Sequence, residues 1–164
     1  MKKISIFLAI ILLITTLTGC SIFSKKTIVD DTKIEKISNE RMEELVLANN
    51  DVVNTIYGNP IFFTTAELQV HVYEYYTKNT VEKYFTDKLF YDDKDGNIKC
   101  NIKTDNRKNI ATMKYSIEYN SIFITNDTQT FTVVFSDKST EYSLNFTATF
   151  NEETNEWLLT DIVI

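Results

Sequence analysis

The feature that most constrains the fold of this chain is a change in the spacing of its apolar residues after Asp95-Gly96. Before this dipeptide, apolar residues recur at helical spacing, and after it they alternate with polar ones. Helices have a period of about 3.6 residues and strands a period of about two. The sequence therefore predicts an α+β fold, with about three N-terminal helices packed on a curved antiparallel sheet of about four to six strands.

Three segments before Asp95 carry helix signals. The first helix is predicted to begin at Ser38 or Asn39, which are both good N-caps, and to end at Gly58. Residues 64–67, Thr-Thr-Ala-Glu, match a capping box and predict the start of a second helix. Residues 79–82 offer the cap of a third helix.

After Gly96, alternation with a period of two predicts strands joined by short polar turns. Each of these segments has one apolar face and one polar face, which is typical of an antiparallel sheet that is buried on one side. The predicted strands cover residues 98–102, 113–119, 131–135, 142–150 and 157–164.

The first twenty residues carry the marks of a targeting signal. Lys2 and Lys3 precede an apolar run over residues 4–14, and Leu17-Thr18-Gly19-Cys20 follows. The run is shorter than the roughly 20 apolar residues that span a bilayer, and the arrangement is that of a cleaved signal. Leu-Thr-Gly-Cys resembles the lipobox of bacterial lipoproteins. The resemblance implies cleavage before Cys20, diacylation of its thiol, and anchoring of the mature chain to the extracytoplasmic face of the cell membrane.

These signals divide the chain into a lipoprotein signal peptide (1–19), a tether (20–37) and a folded domain (38–164). Loss of residues 1–19 would leave 15 basic and 23 acidic residues, a net charge of −8. An acidic surface does not attract phosphate backbones, so no nucleic-acid partner is predicted. It also offers no attraction to anionic lipids, and we expect the membrane contact to come from the N-terminal lipid alone.

The closing segment of the chain resembles a known fold. Residues 151–162, Asn-Glu-Glu-Thr-Asn-Glu-Trp-Leu-Leu-Thr-Asp-Ile, combine an acidic turn, a Trp and a final strand. With three N-terminal helices and long antiparallel strands, this layout is similar to the cone of the nuclear-transport-factor-two-like (cystatin-like) domains over about residues 38–164. The resemblance implies a sheet whose concave side is either packed or open as a ligand pocket.

A second resemblance concerns short runs in the middle of the chain. Their order is similar to that in small secreted inhibitors of cell-wall DL-endopeptidases, the IseA family, which implies a non-enzymatic protein that blocks a hydrolase active site. The chain departs from that family by its predicted lipid anchor and by having no distinct Gly-Gly-Ser stretch after the third helix. No residue role is therefore transferred. The runs are Thr65-Ala66-Glu67-Leu68, Tyr76-Thr77, residues 81–85 and residues 95–99.

Aromatic residues supply the candidate pocket or binding surface. They make up 13% of the chain, and several come from helices and strands that we expect to face one another. In a cone fold, such side chains either line a pocket with polar tips or form packed core with their hydroxyls at the surface. The candidates are Tyr75, Tyr76, Tyr84, Tyr115, Tyr119, Tyr142 and Trp157.

The sequence contains no specific catalytic motif. His71 is the single histidine, and its helical neighbours Glu67 and Glu74 are both placed to pair with it. A surface or helix-packing role, with or without an ion pair, is predicted for it rather than that of a catalytic base. Residues 92–97 echo a calcium loop but place no acidic residue at its first or last position, so an exposed hairpin turn is predicted.

Two further side chains are predicted to lie in the core. Cys100 alternates in step with Ile98 and Ile102, and Trp157 opens the predicted final strand. With Cys20 acylated, Cys100 would have no partner for an intrachain disulfide, and an unpaired cysteine more often packs as a small apolar residue.

Three functions compete on this basis. The leading one is a non-catalytic, membrane-anchored extracytoplasmic lipoprotein whose α+β domain binds another cell-envelope component. The second is an inhibitor of a cell-wall DL-endopeptidase, and the third is a small-ligand carrier or enzyme that uses the cone interior. No cofactor or metal is predicted. A deep, partly polar cavity would favour the third function, whereas a filled interior with an acidic or aromatic outer patch would favour the first two.

Overall fold

The computed structural model describes residues 34–104 and 108–164. The predicted signal peptide and lipobox, and the predicted tether up to residue 33, lie outside the described residues. The order of elements is α+β with the helices N-terminal to the sheets, which confirms the predicted fold class. No helix in the described part of the chain is long and apolar enough to cross a membrane. In chain order the elements are α1 (Asn39–Ile56), α2 (Thr65–Tyr75), α3 (Lys78–Thr86), β1 (Phe90–Asp92), β2 (Ile98–Cys100), a 3₁₀ turn (Ile110–Thr112), β3 (Lys114–Phe123), β4 (Thr128–Ser136), β5 (Glu141–Asn151) and β6 (Glu156–Leu159).

Local sequence sets both ends of α1. The Ser38 hydroxyl accepts a hydrogen bond of 3.1 Å from the backbone N–H of Arg41 and so caps the N-terminus. At the other end, Gly58 adopts a φ of +79°, which a side chain would disfavour. The next N–H, that of Asn59, donates to the Asn54 carbonyl at 2.9 Å, as in a Schellman cap. The predicted bounds of the first helix are thus confirmed.

Helix α2 begins as predicted, whereas α3 begins earlier than predicted. Thr64 and Glu67 form the capping box in both directions. The N-cap of α3 is Thr77 and not a residue of the segment 79–82. The backbone N–H of Thr77 donates to the Leu159 carbonyl at 2.9 Å, so the chain turns where it meets the sheet and the helix starts directly afterwards.

The strands form two antiparallel sheets. Strands β1 and β2 make a hairpin in which Tyr91 pairs with Lys99. Strand β1 was not predicted, because three residues are too few to show alternation. The other four strands form one sheet in the order β3-β4-β5-β6, so each strand pairs with its neighbours in the sequence.

The space between the helices and the four-stranded sheet is filled by side chains from both layers. Phe131 of β4 and Phe146 of β5 stack with their ring centroids 5.5 Å apart. Close packing of this kind leaves few voids and supplies most of the driving force for folding. The largest fully buried apolar side chains are Met42, Leu45, Val46, Val52, Val53, Leu68, Tyr76, Phe131, Phe135, Phe146 and Leu159.

The compact domain extends back to Ile34, four residues before the predicted boundary at 38. Gln129 of β4 is fully buried and bonds this entering segment at two points. Its side-chain carbonyl accepts from the Ile37 N–H, and its amide group donates to the Glu35 carbonyl, both at 3.4 Å. The end of the predicted tether is therefore part of the packed domain.

Strand β6 lies at one edge of the sheet, and its backbone is covered by the helices. The Arg41 guanidinium of α1 donates to the Trp157 carbonyl from Nε at 3.1 Å and from Nη2 at 3.0 Å. The Leu159 carbonyl accepts the N–H of Thr77. Backbone groups that would otherwise be open to another strand are thus already hydrogen-bonded.

Strand β3 lies at the other edge and is bulged. Its pairing runs Glu118 to Thr132 and then Ile122 to Thr130, so β3 advances four residues while β4 advances two. The Lys36 ammonium donates to the carbonyl of Ser121, within the bulge, at 3.1 Å. Residues 114–118, before the bulge, form regular strand that pairs only with β4 among the described strands.

Candidate functional site

The structure places the seven aromatic candidates in different environments. Tyr76, Tyr84 and Trp157 are buried in the core, which favours the packed alternative for these three. Tyr75 and Tyr115 are half-buried at the margin of the core, whereas Tyr119 and Tyr142 are exposed.

The hydroxyl of Tyr76 belongs to a buried polar cluster. Asn49 of α1 is fully buried, and its Oδ1 accepts the Tyr76 hydroxyl at 3.1 Å. The same oxygen accepts the N–H of Val163 at 2.9 Å, and Nδ2 donates to the Val163 carbonyl at 2.9 Å. Burial raises the pKa of Tyr76 well above its ordinary value, so the phenol stays neutral and donates. This cluster holds the C-terminal tail against α1.

The hydroxyl of Tyr84 serves the same tail. It donates to the Asp161 carboxylate and accepts the N–H of Ile162 at 2.7 Å. Burial, and then the bond to Asp161, raise the pKa of Tyr84. Nearby, the Thr80 hydroxyl donates to the Thr160 carbonyl at 2.7 Å. The polar tips of both buried tyrosines are therefore engaged within the domain.

Tyr75 and Tyr119 also make contacts within the domain. The Arg41 guanidinium lies 5.3 Å from the centroid of the Tyr75 ring, in cation–π range. The Tyr119 hydroxyl donates to the Glu43 carboxylate on α1. Burial is the main cause of the raised pKa of Tyr75. The hydrogen bond to Glu43 is the main cause of the raised pKa of Tyr119.

The His71 imidazole is flanked by two aromatic rings. Its centroid lies 4.9 Å from that of Phe62 and 5.1 Å from that of Tyr75. Its Nε2 lies 3.7 Å from Oδ2 of Asp51, too far for a hydrogen bond but within ion-pair distance when the imidazole is protonated. Burial raises the pKa of Asp51, and His71 partly offsets that rise.

Neither of the two carboxylates considered for His71, those of Glu67 and Glu74, is the one that the structure places within ion-pair distance. Glu67 instead accepts the N–H of Phe63 and closes the capping box, and the carboxylate nearest to the imidazole comes from α1. Because the expectation considered carboxylates within one helical turn, it missed Asp51, which lies twenty residues earlier. Among residues 34–104 and 108–164, no three His, Cys, Asp or Glu side chains are arranged to hold a metal ion.

The segment that echoes a calcium loop forms the turn between β1 and β2, as predicted. The Asp93 carboxylate accepts the N–H groups of Asp95 and Asn97, both at 2.9 Å. These hydrogen bonds lower the pKa of Asp93, and the bond from the Asn97 N–H has the largest effect. Gly96 adopts a φ of +79° in the turn. The carboxylate thus closes the turn locally, in the manner of an Asx-turn.

Cys100 is half-buried, less than predicted, because β2 belongs to the small hairpin and not to the central sheet. Its Sγ accepts the Ile102 N–H at 3.3 Å. Burial raises the pKa of the thiol, which disfavours the reactive thiolate.

A depression of about 310 Å³ lies at the turn between β4 and β5, lined by residues 136–141. The Asp137 carboxylate in this depression contacts the Lys108 ammonium and accepts the N–H groups of Ser139 and Thr140. The bond to Lys108 is the main cause that lowers the pKa of Asp137. The carboxylate is therefore committed to the turn.

Two exposed apolar side chains lie in the connection between α1 and α2, and a third lies on α2. Ile61, Phe63 and Val70 are exposed by 54%, 79% and 74%, and we call them the apolar patch. The backbone at Phe63 is fixed on both sides: its N–H donates to Oε2 of Glu67 at 2.8 Å, and its carbonyl accepts the N–H of Ile98 at 3.0 Å. The exposed phenyl ring is thus carried by a hydrogen-bonded backbone.

The β1–β2 hairpin is hydrogen-bonded to the first residue of α2, close to Phe63 in the sequence. The Asp92 carboxylate accepts both the N–H and the hydroxyl of Thr65, at 2.8 and 2.9 Å. Tyr91, the residue before Asp92, is also exposed. Sequence analysis missed this patch, although Ile61-Phe62-Phe63 lies between a helix stop and a helix cap, where an apolar run has no periodic face to join.

Comparison of the chain with protein-family models and with curated proteins finds no match. The resemblances to bacterial lipoproteins, to the nuclear-transport-factor-two-like domains and to the IseA family therefore stay predictions.

Proposed function

We propose that this protein is a membrane-anchored, extracytoplasmic lipoprotein whose non-catalytic α+β domain binds another protein of the cell envelope through the apolar patch. The observation that carries the proposal is the exposure of Phe63, 79%, on a backbone bonded at both its N–H and its carbonyl. Aromatic residues are enriched at the centres of protein–protein interfaces.

An aromatic side chain on a hydrogen-bonded backbone suits a binding role for an energetic reason. Association costs free energy when side chains and loops must be ordered at the interface. Phe63 has two side-chain torsions and an ordered backbone, so little freedom remains to be lost. Aromatic residues that fill a pocket on a partner carry much of the binding energy in protein interfaces.

The interior of the domain supports the same reading. Tyr76, Phe135 and Phe146 occupy the region between the helices and the sheet and are almost fully buried. Since their side chains fill this region, a ligand site is better supported on the outer surface. The acidic composition of the chain favours a partner whose contacting rim is neutral or basic.

Phe63→Asp should abolish capture of the envelope partner while leaving the domain folded. A charged group in place of a buried aromatic anchor weakens binding by about 30-fold or more, whereas an exposed substitution changes stability by about 0.5 kcal/mol or less. The measurement is chemical crosslinking in intact cells followed by purification of the chain and quantitative mass spectrometry of what it captures.

The matched control is Ile124→Asp, since Ile124 is also an exposed apolar residue but follows directly after β3. It should capture the same proteins as the parent chain. Equal loss with both substitutions, or no loss with Phe63→Asp, would contradict the role of the apolar patch. A cell-wall hydrolase among the captured proteins would favour the inhibitor alternative.

Cys20→Ser should move the protein from the membrane fraction to the soluble fraction. The predicted lipid on Cys20 is the only membrane attachment that we propose, and two acyl chains anchor a protein stably. Fractionation and immunoblotting measure the change, with Cys100→Ser as the control that should stay membrane-bound. An intact mass showing an unmodified Cys20 in the mature chain would contradict the proposal.

A further inference from the structure

The regular half of β3 carries backbone groups that point away from its one partner strand. Across the β3–β4 turn, the Ile124 N–H donates to the Thr128 carbonyl at 2.8 Å. The N–H and C=O groups of Thr128, and of the other even-numbered residues of β4, therefore point toward β3. In the register before the bulge, even-numbered residues of β3 oppose even-numbered residues of β4. Because bonding direction alternates along an antiparallel strand, the N–H and C=O groups of Tyr115 and Ile117 point to the free edge.

The five residues of this half-strand are self-complementary in charge. They read Lys114-Tyr115-Ser116-Ile117-Glu118. A two-fold axis through Ser116 sets Lys114 of each copy opposite Glu118 of the other. Opposite charges directly across an antiparallel pair are stabilising, and like charges are destabilising.

The apolar residues fit the same register. The axis sets Tyr115 of each copy opposite Ile117 of the other, which is a favourable aromatic pair with a β-branched residue. The backbone groups of these same residues face the edge that no described strand occupies, so the pair would exchange about four hydrogen bonds. A shift of the axis to Ile117 would move Lys114 away from Glu118 and lose both ion pairs. The charges therefore select one register.

We propose that this half-strand, residues 114–118, pairs in antiparallel fashion with the same half-strand of a second copy of the chain. Lys114, Ser116 and Glu118 are exposed, and the described strands leave this edge open. The bulge that follows Glu118 limits the pairing to these five residues, because bulges end regular pairing at sheet edges. The contact is small compared with stable dimer interfaces of about 1,200 Å² or more, so the pair is weak and transient.

The proposal is independent of the apolar patch and of the envelope partner. A membrane anchor would raise the local concentration of the two copies and so favour the pair. The pairing itself needs only the β3 edge, and the tests below use protein purified in mild detergent from the cells that express it.

The first test uses the unmodified chain and a carbodiimide, which joins an ammonium to a carboxylate in direct contact. Isotopically light and heavy chains are mixed before the reaction, and the peptides are analysed by mass spectrometry. We expect mixed light–heavy peptides that join Lys114 to Glu118. Within one copy these two residues are about 13 Å apart along the strand, too far for this link. Absence of the mixed peptide would overturn the proposal.

The second test uses Ser116→Cys in a chain that also carries Cys100→Ala. Opposed residues at a non-hydrogen-bonded position have Cα atoms about 4.5 Å apart, which a disulfide spans. The matched control is Ser143→Cys, since Ser143 is exposed and follows Ser116 and Val134 across the same face of the sheet. We expect disulfide dimers to form about tenfold faster with Ser116→Cys. Equal rates would overturn the proposal, and the Cys100→Ala chain alone reports any linkage through Cys20.

Charge reversal provides the decisive comparison within the Ser116→Cys chain. Lys114→Glu places two carboxylates opposite each other at both contacts between residues 114 and 118 of the two copies. Glu118→Lys places two ammonium groups there. Each should slow dimer formation on the order of tenfold, whereas the double reversal should restore the parent rate. Failure of the double reversal to restore it would overturn the proposal. Circular dichroism identifies any variant that does not fold, and the carbodiimide test on the unmodified chain then decides.

Discussion

Replacing Trp157 by Ala should lower the free energy of unfolding by about 3–5 kcal/mol. The indole is 6% exposed and meets the rings of Phe150 and Phe123 edge-on, with centroids 5.4 and 6.4 Å away. Its removal takes away both the buried apolar area and these ring contacts. A loss of this size is a large fraction of the roughly 5–15 kcal/mol that stabilises a typical domain.

Urea unfolding followed by far-ultraviolet circular dichroism measures this loss, since Trp157 is the only Trp of the chain and cannot report on its own absence. The matched control is Phe63→Ala, which truncates an exposed aromatic residue and should cost about 0.5 kcal/mol or less. In the parent protein, Trp157 should emit at short wavelength and resist quenching. A parent-like unfolding midpoint for Trp157→Ala would show that the indole contributes no core packing.

Asn49→Ala should also destabilise the domain by about 3–5 kcal/mol. The substitution removes one amide that serves the Tyr76 hydroxyl and both backbone groups of Val163. A buried polar group that loses its hydrogen bond costs about 1–3 kcal/mol, and three groups lose one here. The same unfolding measurement applies, with amide hydrogen exchange at Val163 as a local readout of the tail.

Tyr76→Phe is the control for Asn49→Ala, because it removes only part of the same hydrogen-bond cluster. It removes one of the three hydrogen bonds and keeps the ring, so we expect a loss of about 0.5–1.5 kcal/mol and an unchanged tail. If Asn49→Ala cost no more than Tyr76→Phe, the two bonds to Val163 would contribute nothing to stability.

Elements set by neighbouring residues were predictable from the sequence. The capping box at Thr64 and Glu67 occurs as predicted, and the helix ends at Gly58 as predicted, there with a Schellman cap. Both depend on contacts within a few residues. The alternation of residues 131–135 likewise predicted the central strand β4, because burial on one face repeats at every second residue.

Elements set by distant contacts were not predictable. The predicted final strand, 157–164, ends at Leu159, because Ile162 and Val163 bond to side chains of the helices instead of a strand. Nothing local marks Gln129 as the group that fixes the entering segment. The bulge of β3 is equally hidden, since its residues read as continuous strand.

The candidate site was less predictable than the fold, because it depends on which apolar residues stay exposed. Hydrophobicity favours burial for Phe62 and Phe63 alike, yet Phe62 packs beside His71 while Phe63 faces water. Two hydrogen bonds fix the backbone at Phe63: a local one to the Glu67 carboxylate, and one from the Ile98 N–H, which comes from a segment far along the sequence. Which of the two phenyl rings is exposed therefore depends on contacts that exist only once the hairpin and the helix have come together.

The coverage of β6 by Arg41 and Thr77 determines how far strand-to-strand association can proceed. A sheet that is open at both edges can add copies without limit and grow into a fibre. Here the guanidinium and the Thr77 amide occupy carbonyls of β6, so an incoming strand would first have to displace them. Contact between two β3 edges is isologous and consumes the edge of each molecule, which ends growth at two. A domain built in this way can concentrate on a surface without polymerising.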